Sequence, residues 1–442
     1  MRVTPAPASA VPGRWPVRVV AAVRARATPS AWWLAPLLPL WVAVSVVRSH
    51  GLGPLGDEPA YLRYGEHLLH GRYAIPGTHD ATQFVWHGPG LPALLPPFLL
   101  ADAPLWVMRL TGPVLLFAAI LLFHRLLRLR LSPGWALGGA WLFGLYAPMG
   151  EVVGTLHKEP LALALLAAAM IGATRYLDSG RPRHLLLAGA GLTGLVMTRL
   201  EYGWVLVVLV PLAAVWALCT RRTESRRMLL VAGLGLAGCV PWLIYTFSLT
   251  GQVLYWGNSG GLSLYWMAPH PGQDGAWHAM HSVFRDHSLA AYRHFFRYAK
   301  SLPPLPRDLL FRHVAVAEIL RDPDGYALNV LANVARGLVA APISGGVPVL
   351  ASVFAGMFSL PLLAAVLASV AWLRLRRRRA PERGGLPSEA ALFGAFAVLA
   401  LGLHLLPSTE PRLLLPIVPI ALWVTIHTAA LWAAERRGAA AS

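Results

Sequence analysis

The sequence contains repeated apolar runs that are long enough to cross a bilayer. A transmembrane helix needs about 20 mostly apolar residues, with a range of about 17–25. Ten stretches of the 442-residue chain, of 14 to 28 residues, are candidate spans: 31–47, 103–123, 133–150, 159–174, 185–198, 202–218, 229–248, 346–373, 390–406 and 413–433. Charged residues make up 13% of the chain, against about 25% in soluble domains. The sequence therefore predicts an all-α polytopic membrane protein with about ten transmembrane helices, and it excludes a soluble or a disordered chain.

The distribution of charge predicts how the chain is oriented. Its net charge is +18, which alone would also suit nucleic-acid binding. If the N-terminus is cytoplasmic and the spans alternate, the cytoplasmic segments hold this whole excess, most sharply in the arginine-rich stretch 374–379. This is the positive-inside pattern of membrane proteins. We therefore expect a multi-pass protein of the plasma or inner membrane with both termini cytoplasmic, and no nucleic-acid partner.

The same topology divides the chain into segments. A basic N-terminal segment, 1–30, and a tail, 434–442, flank a transmembrane domain at 31–433. The outer loops 48–102 and 249–345 are longer than ordinary connections. In the second loop, 309–321 and 326–336 read as helices separated by a turn at 322–325, and we expect a small helical cap over an outer site. A helical stripe of apolar residues comprises Leu309, Leu310, Val314, Ala317 and Leu320. The alternative, that this loop only packs against the bundle, stays open.

The first outer loop begins with two adjacent carboxylates, Asp57 and Glu58. Asp57 is a suitable helix N-cap, and Pro59 suits a first helical turn. One face of the following helix would carry Ala60, Tyr61, Tyr64, Leu68 and Leu69, which predicts a short amphipathic helix in the interface. Asp57 could serve as a cap alone. However, ionisable residues at a membrane edge are candidate functional residues, and a carboxylate there can act as a general base.

Further polar residues lie in the other outer segments. The loop segment 86–92 holds His87 among prolines that forbid a regular spanning helix. The remaining turns carry Lys158, Glu159, Arg199, Glu201, Glu410 and Arg412. Glu159 could cap a helix, Arg199 could pair with Glu201, and Arg412 could be a snorkelling anchor. Together these groups suit one chemistry, in which cations stabilise a leaving phosphate and a carboxylate accepts a proton.

An ordered series of fragments carries a family resemblance. The fragments are GDEPAYLRYGEHLLHGRYA, WHGPGLPALLPP, LHKEPLALALLAAAM, GLVMTRLEYGWVL, WGNSGGLSLYW, LPRDLLFRHVAVAEILRDPDGYALNVLANVAR and TEPRLLLPIVPIALW. The series spans about 50–430. It resembles the GT-C type membrane glycosyltransferases, in particular the branch near protein O-mannosyltransferases and lipid A aminoarabinose transferases. The chain departs from the family pattern at Leu200, where Pro is frequent, and at Leu413, where an aromatic is frequent, so the branch and the acceptor stay open.

The resemblance implies an inverting transfer of a hexose or pentose from a polyprenyl-phosphate donor, on the extracytoplasmic face of the cell envelope. The acceptor would be a glycan, a lipid or a protein. Asp57 would be the base with Glu58 beside it, and Lys158, Arg199 and Arg412 would bind the donor phosphate. Supporting polar residues would be Glu159, Glu201, Glu410 and His87, and the acceptor cavity would include Trp256, Asn258 and Tyr265. The chain has no phosphate-binding loop of a nucleotide site, which agrees with a lipid-linked donor.

The rival function is transport or flipping of a polar or lipid-linked substrate. A transporter should carry ionisable groups at mid-bilayer depth, whereas here they concentrate at one face. The sequence requires no cofactor and leaves a divalent metal open. His67 and His70 have the helical i,i+3 spacing of a metal pair, and the other interpretation is that they face solvent or form hydrogen bonds.

Overall fold

The computed structural model describes residues 30–73, 85–270, 277–339, 349–379, 386–407 and 411–440. Across these ranges the chain is built from helices and contains no strand, so the predicted all-α class is confirmed. Seven helical segments in the described ranges are long and apolar enough to cross a membrane, judged by length and composition: Ala31–Ser49, Leu105–Leu127, Glu159–Ser179, Tyr202–Thr220, Thr223–Thr250, Gly356–Arg378 and Pro411–Arg437. The chain is therefore a polytopic membrane protein.

The α-helices of the described residues are numbered in chain order. They are α1 (Leu37–Ser49), α2 (Glu58–Leu69), α3 (Pro96–Leu100), α4 (Leu105–Arg109), α5 (Thr111–Leu127), α6 (Pro133–Gly144), α7 (Glu159–Ser179), α8 (Pro182–Thr198), α9 (Tyr202–Thr220), α10 (Thr223–Ala237), α11 (Val240–Thr250), α12 (Gly260–Tyr265), α13 (Ser282–Arg285), α14 (Arg293–Ser301), α15 (Pro304–Arg321), α16 (Pro323–Val339), α17 (Val349–Arg379), α18 (Glu389–Leu405), α19 (Pro411–Leu414) and α20 (Val418–Ala440).

One of the predicted spans forms a shorter helix than expected. The stretch 133–150 contributes only the 12 residues of α6, whereas 185–198 and 390–406 correspond to α8 and α18, which have 17 residues each. Helix α6 stops at Gly144, and a 3₁₀ turn containing Pro148 takes over. The predicted span 229–248 is also divided, since α10 ends before Gly238 and α11 begins with a proline in its first turn.

Helix α7 is the most buried of the seven apolar segments, with 83% of its most apolar 18-residue stretch buried inside the bundle. It packs closely on α8 through small residues. A side chain at Gly172 would overlap the backbone of Ala188, and one at Gly191 would meet Ala169. Small residues let membrane helices approach closely, which replaces the hydrophobic driving force that lipid does not supply.

Ion pairs mark the two polar ends of the bundle. At one end, Arg130 after α5 pairs with Asp178 of α7 at 2.8 Å and with Glu389 of α18 at 2.9 Å. At the other end, Glu58 of α2 pairs with Arg109 of α4 at 2.7 Å. Helix ends that the alternating topology assigns to the same side are thus observed in contact.

The second long loop forms a helical unit with its own aromatic core, which we call the cap. Its core includes Tyr265, Trp266, Phe296 and Phe311. The predicted helices are present as α15 and α16, but of the predicted apolar stripe on α15 only Leu310 and Val314 pack against the cap core. The buried face instead contains Arg307, Asp308, Phe311 and Ala315, and Leu320 is 77% exposed. The turn is shorter than predicted because α16 begins at Pro323, directly after Asp322.

Candidate functional site

A cluster of charged and histidine side chains lies at the end of the bundle predicted to face outward. We call it the polar cluster. Its members come from the start of α2, the 86–90 loop, the turn before α7, the α8–α9 turn and α19: Asp57, Glu58, His87, His157, Lys158, Glu159, Arg199, Glu201 and Arg412. The convergence predicted from the alternating topology is therefore observed. Glu410 lies outside the described residues.

Asp57 presents a partly exposed carboxylate to this cluster. It directly precedes α2, yet its side chain makes no capping hydrogen bond, so the interpretation of Asp57 as a helix cap is wrong. Its Oδ1 lies 3.8 Å from His87 Nε2, and the side chain is 34% exposed. Burial raises the pKa of Asp57, but electrostatic interactions with His87, Arg412 and Lys158 outweigh burial and hold the pKa below its ordinary 3.8. Asp57 is therefore an ionised proton acceptor at neutral pH.

Glu58 is fully buried and serves a different purpose. Arg109 donates two hydrogen bonds to its carboxylate, at 2.9 and 2.7 Å. The backbone amides of Leu55 and Leu156 donate two more, at 2.8 and 2.7 Å. Burial raises the pKa of Glu58, and these donors lower it by more, so the carboxylate stays charged. With its oxygens already bonded, Glu58 anchors the start of α2 beside Asp57.

Arg109 is a site residue that sequence reasoning missed, because it lies inside the apolar run 103–123. It is 1% exposed. Besides Glu58, it donates to the backbone carbonyl groups of Ser49, Leu52 and Gly53 at 3.2, 3.0 and 2.7 Å. One guanidinium thereby joins the end of α1, the following loop and the start of α2, which fixes the position of the polar cluster.

Arg199 is fully buried between two carboxylates. Its Nε donates to Glu201 Oε1 at 2.8 Å, and its Nη1 lies 3.5 Å from Glu159 Oε1. The anticipated Arg199–Glu201 pair is therefore present. Burial raises the pKa of Glu201, but Lys158 and Arg199 lower it far below its ordinary value. Within the described ranges, neither Nη atom of Arg199 has a hydrogen-bond partner.

Two further cations of the polar cluster are more exposed than Arg199. Lys158 is 15% exposed, and its Nζ lies 3.9 Å from Glu201 Oε1. Arg412, which begins the last apolar segment, places Nη1 3.4 Å from His157 Nδ1. Both cations lower the pKa of Asp57. The cluster thus combines two partly exposed carboxylates with two accessible positive charges, and of the two carboxylates Glu201 is already bonded to Arg199.

His87 is held against the bundle by close backbone packing. A Cβ at the next residue, Gly88, would overlap the backbone oxygen of Met197 at the end of α8. The His87 carbonyl accepts a hydrogen bond from the Tyr73 hydroxyl at 2.7 Å. Burial is the main cause that lowers the pKa of His87 to about 4, although Asp57 opposes it. His87 is therefore neutral at neutral pH.

The three residues expected in an acceptor cavity have different surroundings. Trp256 packs against Gly203 at the start of α9, where a Cβ would overlap its ring. Tyr265 belongs to the cap core and stacks on Phe295 at 5.2 Å between ring centroids. Asn258 is 5% exposed, and its Oδ1 has no hydrogen-bond partner among the described residues. Trp256 Nε1 likewise has no hydrogen-bond partner among the described residues, so Trp256 and Asn258 each retain a polar atom for a ligand.

The described residues form no evident metal-binding site. No group of three or more His, Cys, Asp and Glu side chains suited to a metal ion occurs there. His67 Nδ1 lies 3.0 Å from the Tyr73 carbonyl oxygen, and His70 Nδ1 lies 3.0 Å from that of Glu66. These contacts agree with hydrogen-bonded histidines.

No family model and no curated protein matches the chain. The solved structures similar to it include three of the oligosaccharyltransferase of Archaeoglobus fulgidus. One is AglB in complex with an inhibitory peptide and a dolichol-phosphate, with 13% identity and a TM-score of 0.47 over 90% of this chain and 50% of that chain. The second carries a disulfide-tethered acceptor peptide, with 14% identity, a TM-score of 0.47 and coverage of 90% and 49%. The third is the apo form, with 15% identity, a TM-score of 0.47 and coverage of 90% and 50%.

The likeness is to a GT-C fold glycosyltransferase, as the sequence resemblance predicted. The chain spans about half the length of these structures. At such low identity and TM-score, the likeness assigns neither a substrate nor a residue role to this chain. Those assignments depend on the polar cluster itself.

Proposed function

We propose that this chain is a membrane glycosyltransferase that moves a sugar from a polyprenyl-phosphate donor to an acceptor on the extracytoplasmic face. One observation carries the proposal. An ionised, partly exposed Asp57 lies among cations at one end of an apolar helical bundle. A lipid-linked donor would place its phosphate at this depth while its chain stays in the membrane.

The proposed reaction is a single displacement. Asp57 takes the proton from an acceptor hydroxyl or amine, whose lone pair attacks the anomeric carbon of the donor. The bond between that carbon and the phosphate oxygen breaks, and the electron pair leaves with the phosphate. Arg412 and Lys158 then stabilise the negative charge that grows on this oxygen, which is the role of fixed cations in a transition state. Attack opposite the leaving group inverts the anomeric centre.

The remaining polar residues position these groups. Glu58 and Arg109 fasten the start of α2, which holds Asp57 at the opening. Arg199 fixes Glu201 and Glu159, and its buried Nη atoms make no hydrogen bond among the described residues. We propose that these atoms complete the phosphate site when a donor is bound.

The transporter alternative predicts ionisable groups at mid-membrane depth. Asp57 instead precedes α2, and Arg412 begins the last apolar segment. Both groups thus lie at helix ends. This placement favours chemistry at the membrane surface over passage through the bundle.

The proposed function can be tested in cells that lack this protein. Mass spectrometry of their surface glycans and glycolipids should show a missing sugar and an accumulated polyprenyl-phosphate sugar. Wild-type protein and Glu66→Gln should restore the sugar, because Glu66 is an exposed carboxylate on the same helix, α2. Asp57→Asn should not. Restoration by Asp57→Asn, or unchanged glycans in the deletion cells, would contradict the proposal.

A further inference from the structure

A second cleft lies at the bundle end opposite the polar cluster. It has a volume of about 920 Å³, near the upper end of the roughly 300–1,000 Å³ typical of small-molecule sites. The end of α9, the start of α10, the end of α17 and the start of α18 surround it. These are helix ends that the positive-inside pattern assigns to the cytoplasm.

The lining combines an apolar wall with positive charge. Trp216, Met228 and Leu373 supply apolar surface, and Arg222 and Arg377 supply charge. Trp216 is 38% exposed although it is a large aromatic side chain. An apolar wall beside arginines matches an amphiphile that has an anionic group at one end.

The two arginines differ from their neighbour Arg376, which also lines the cleft. Arg376 donates to Glu435 Oε1 at 2.6 Å and lies over the Trp372 ring. By contrast, Arg222 and Arg377 are exposed and make no side-chain hydrogen bond or ion pair within the described ranges. One acid, Glu224, also lines the cleft. The lining therefore keeps a positive excess that is available to a ligand.

We propose that this cleft binds the phosphodiester headgroup of an anionic phospholipid from the cytoplasmic leaflet. Arg222 and Arg377 would hold the phosphate, since guanidinium groups donate two hydrogen bonds to phosphate oxygens at once. The acyl chains would lie along the apolar wall that includes Trp216 and Leu373. Basic pockets between membrane helices on the cytoplasmic side are sites of this kind. The proposal does not depend on the catalytic function.

Native mass spectrometry of the purified full chain in neutral detergent can test it. Phosphatidylglycerol should bind in preference to phosphatidylcholine. The double variant Arg222→Gln/Arg377→Gln should weaken phosphatidylglycerol binding by roughly 30-fold, because each basic residue near an anionic surface contributes a factor of several. The matched control is Arg226→Gln/Arg378→Gln, which removes two exposed arginines outside the cleft, one from α10, which Arg222 directly precedes, and one from α17, which contains Arg377.

The control should keep wild-type affinity for phosphatidylglycerol. Equal loss in both double variants would overturn the proposal, as it would show binding to the general positive charge. Equal binding of phosphatidylcholine would also overturn it. Inorganic phosphate serves as a third probe, and its displacement of the lipid at equal concentration would identify a free-phosphate site instead. The single variant Arg377→Gln gives an intermediate loss if the double variant is unstable.

Discussion

Breaking the buried pair between Glu58 and Arg109 should unfold the site. Glu58→Gln keeps the size of the side chain but removes the charge that neutralises Arg109. The pair is nearly inaccessible, with side chains 1% and 2% exposed. Removing one partner of such a pair typically costs about 3–5 kcal/mol, because the other charge is left buried and uncompensated.

A double-mutant cycle measures this effect. We expect Glu58→Gln and Arg109→Met each to lower the free energy of unfolding by about 3–5 kcal/mol, and the double variant to cost much less than their sum. The assay is reversible unfolding by denaturing detergent, followed by tryptophan fluorescence. The control is Glu318→Gln, which breaks an exposed pair with Arg321 at 3.9 Å and should cost under about 1 kcal/mol.

The stability from Glu58 should also depend on pH. Its pKa in the folded protein is held below the ordinary 4.5 by Arg109 and the amides of Leu156 and Leu55, which together outweigh burial. A carboxylate with a lowered folded pKa contributes stability that is present above its unfolded pKa and lost as pH falls through the folded pKa. Stability should therefore decline below about pH 4.5 in wild type.

Two results of the double-mutant cycle would refute the reasoning about the buried pair. One is a loss of unfolding free energy under about 1 kcal/mol for Glu58→Gln, and the other is full additivity of the two single variants.

Three further predictions concern the donor phosphate, the His87 loop and the topology. Arg412→Ala should lower turnover about 100-fold. Arg412→Lys should recover only part of this loss, since an ammonium cannot hold two phosphate oxygens at once. Turnover of Arg412→Lys equal to that of wild type would show that Arg412 is only a membrane anchor. Gly88→Ala should lower the detergent unfolding midpoint, because its Cβ would overlap a backbone oxygen, whereas Gly134→Ala has open space and should not. In a cysteine-free chain, impermeant thiol reagents on intact cells should label Ser259→Cys and spare Ser388→Cys; the reverse would invert the topology.

Part of this site could be predicted from the sequence. Apolar runs fix where the chain crosses the membrane, and alternation then places the outer turns together, so the meeting of Asp57, Lys158, Arg199 and Arg412 follows. The topology does not predict which of these side chains pair with one another. Asp57 and Glu58 are neighbours with similar chemistry, and only the packing of Arg109 reveals that one is buried and the other open.

The cap shows the same limit. Its helices were predictable from local pattern, but its buried face was not. The expected stripe included Leu320, which is exposed, whereas Phe311 is in the aromatic core. The family resemblance of the fragment WGNSGGLSLYW predicts Tyr265 in an acceptor cavity, whereas its ring packs inside the cap core. Which apolar face is covered depends on partners distant in the sequence.

The most direct test of the central claim is turnover by purified protein in lipid nanodiscs. A set of synthetic polyprenyl-phosphate hexoses and pentoses is supplied with glycan, lipid and peptide acceptors, and released polyprenyl phosphate is quantified by mass spectrometry. At least one donor should release polyprenyl phosphate with wild type and Glu66→Gln, and Asp57→Asn should lower this rate by roughly 10²–10⁴-fold, the contribution of a general base, without losing donor binding. Equal release by Asp57→Asn and wild type would contradict the account.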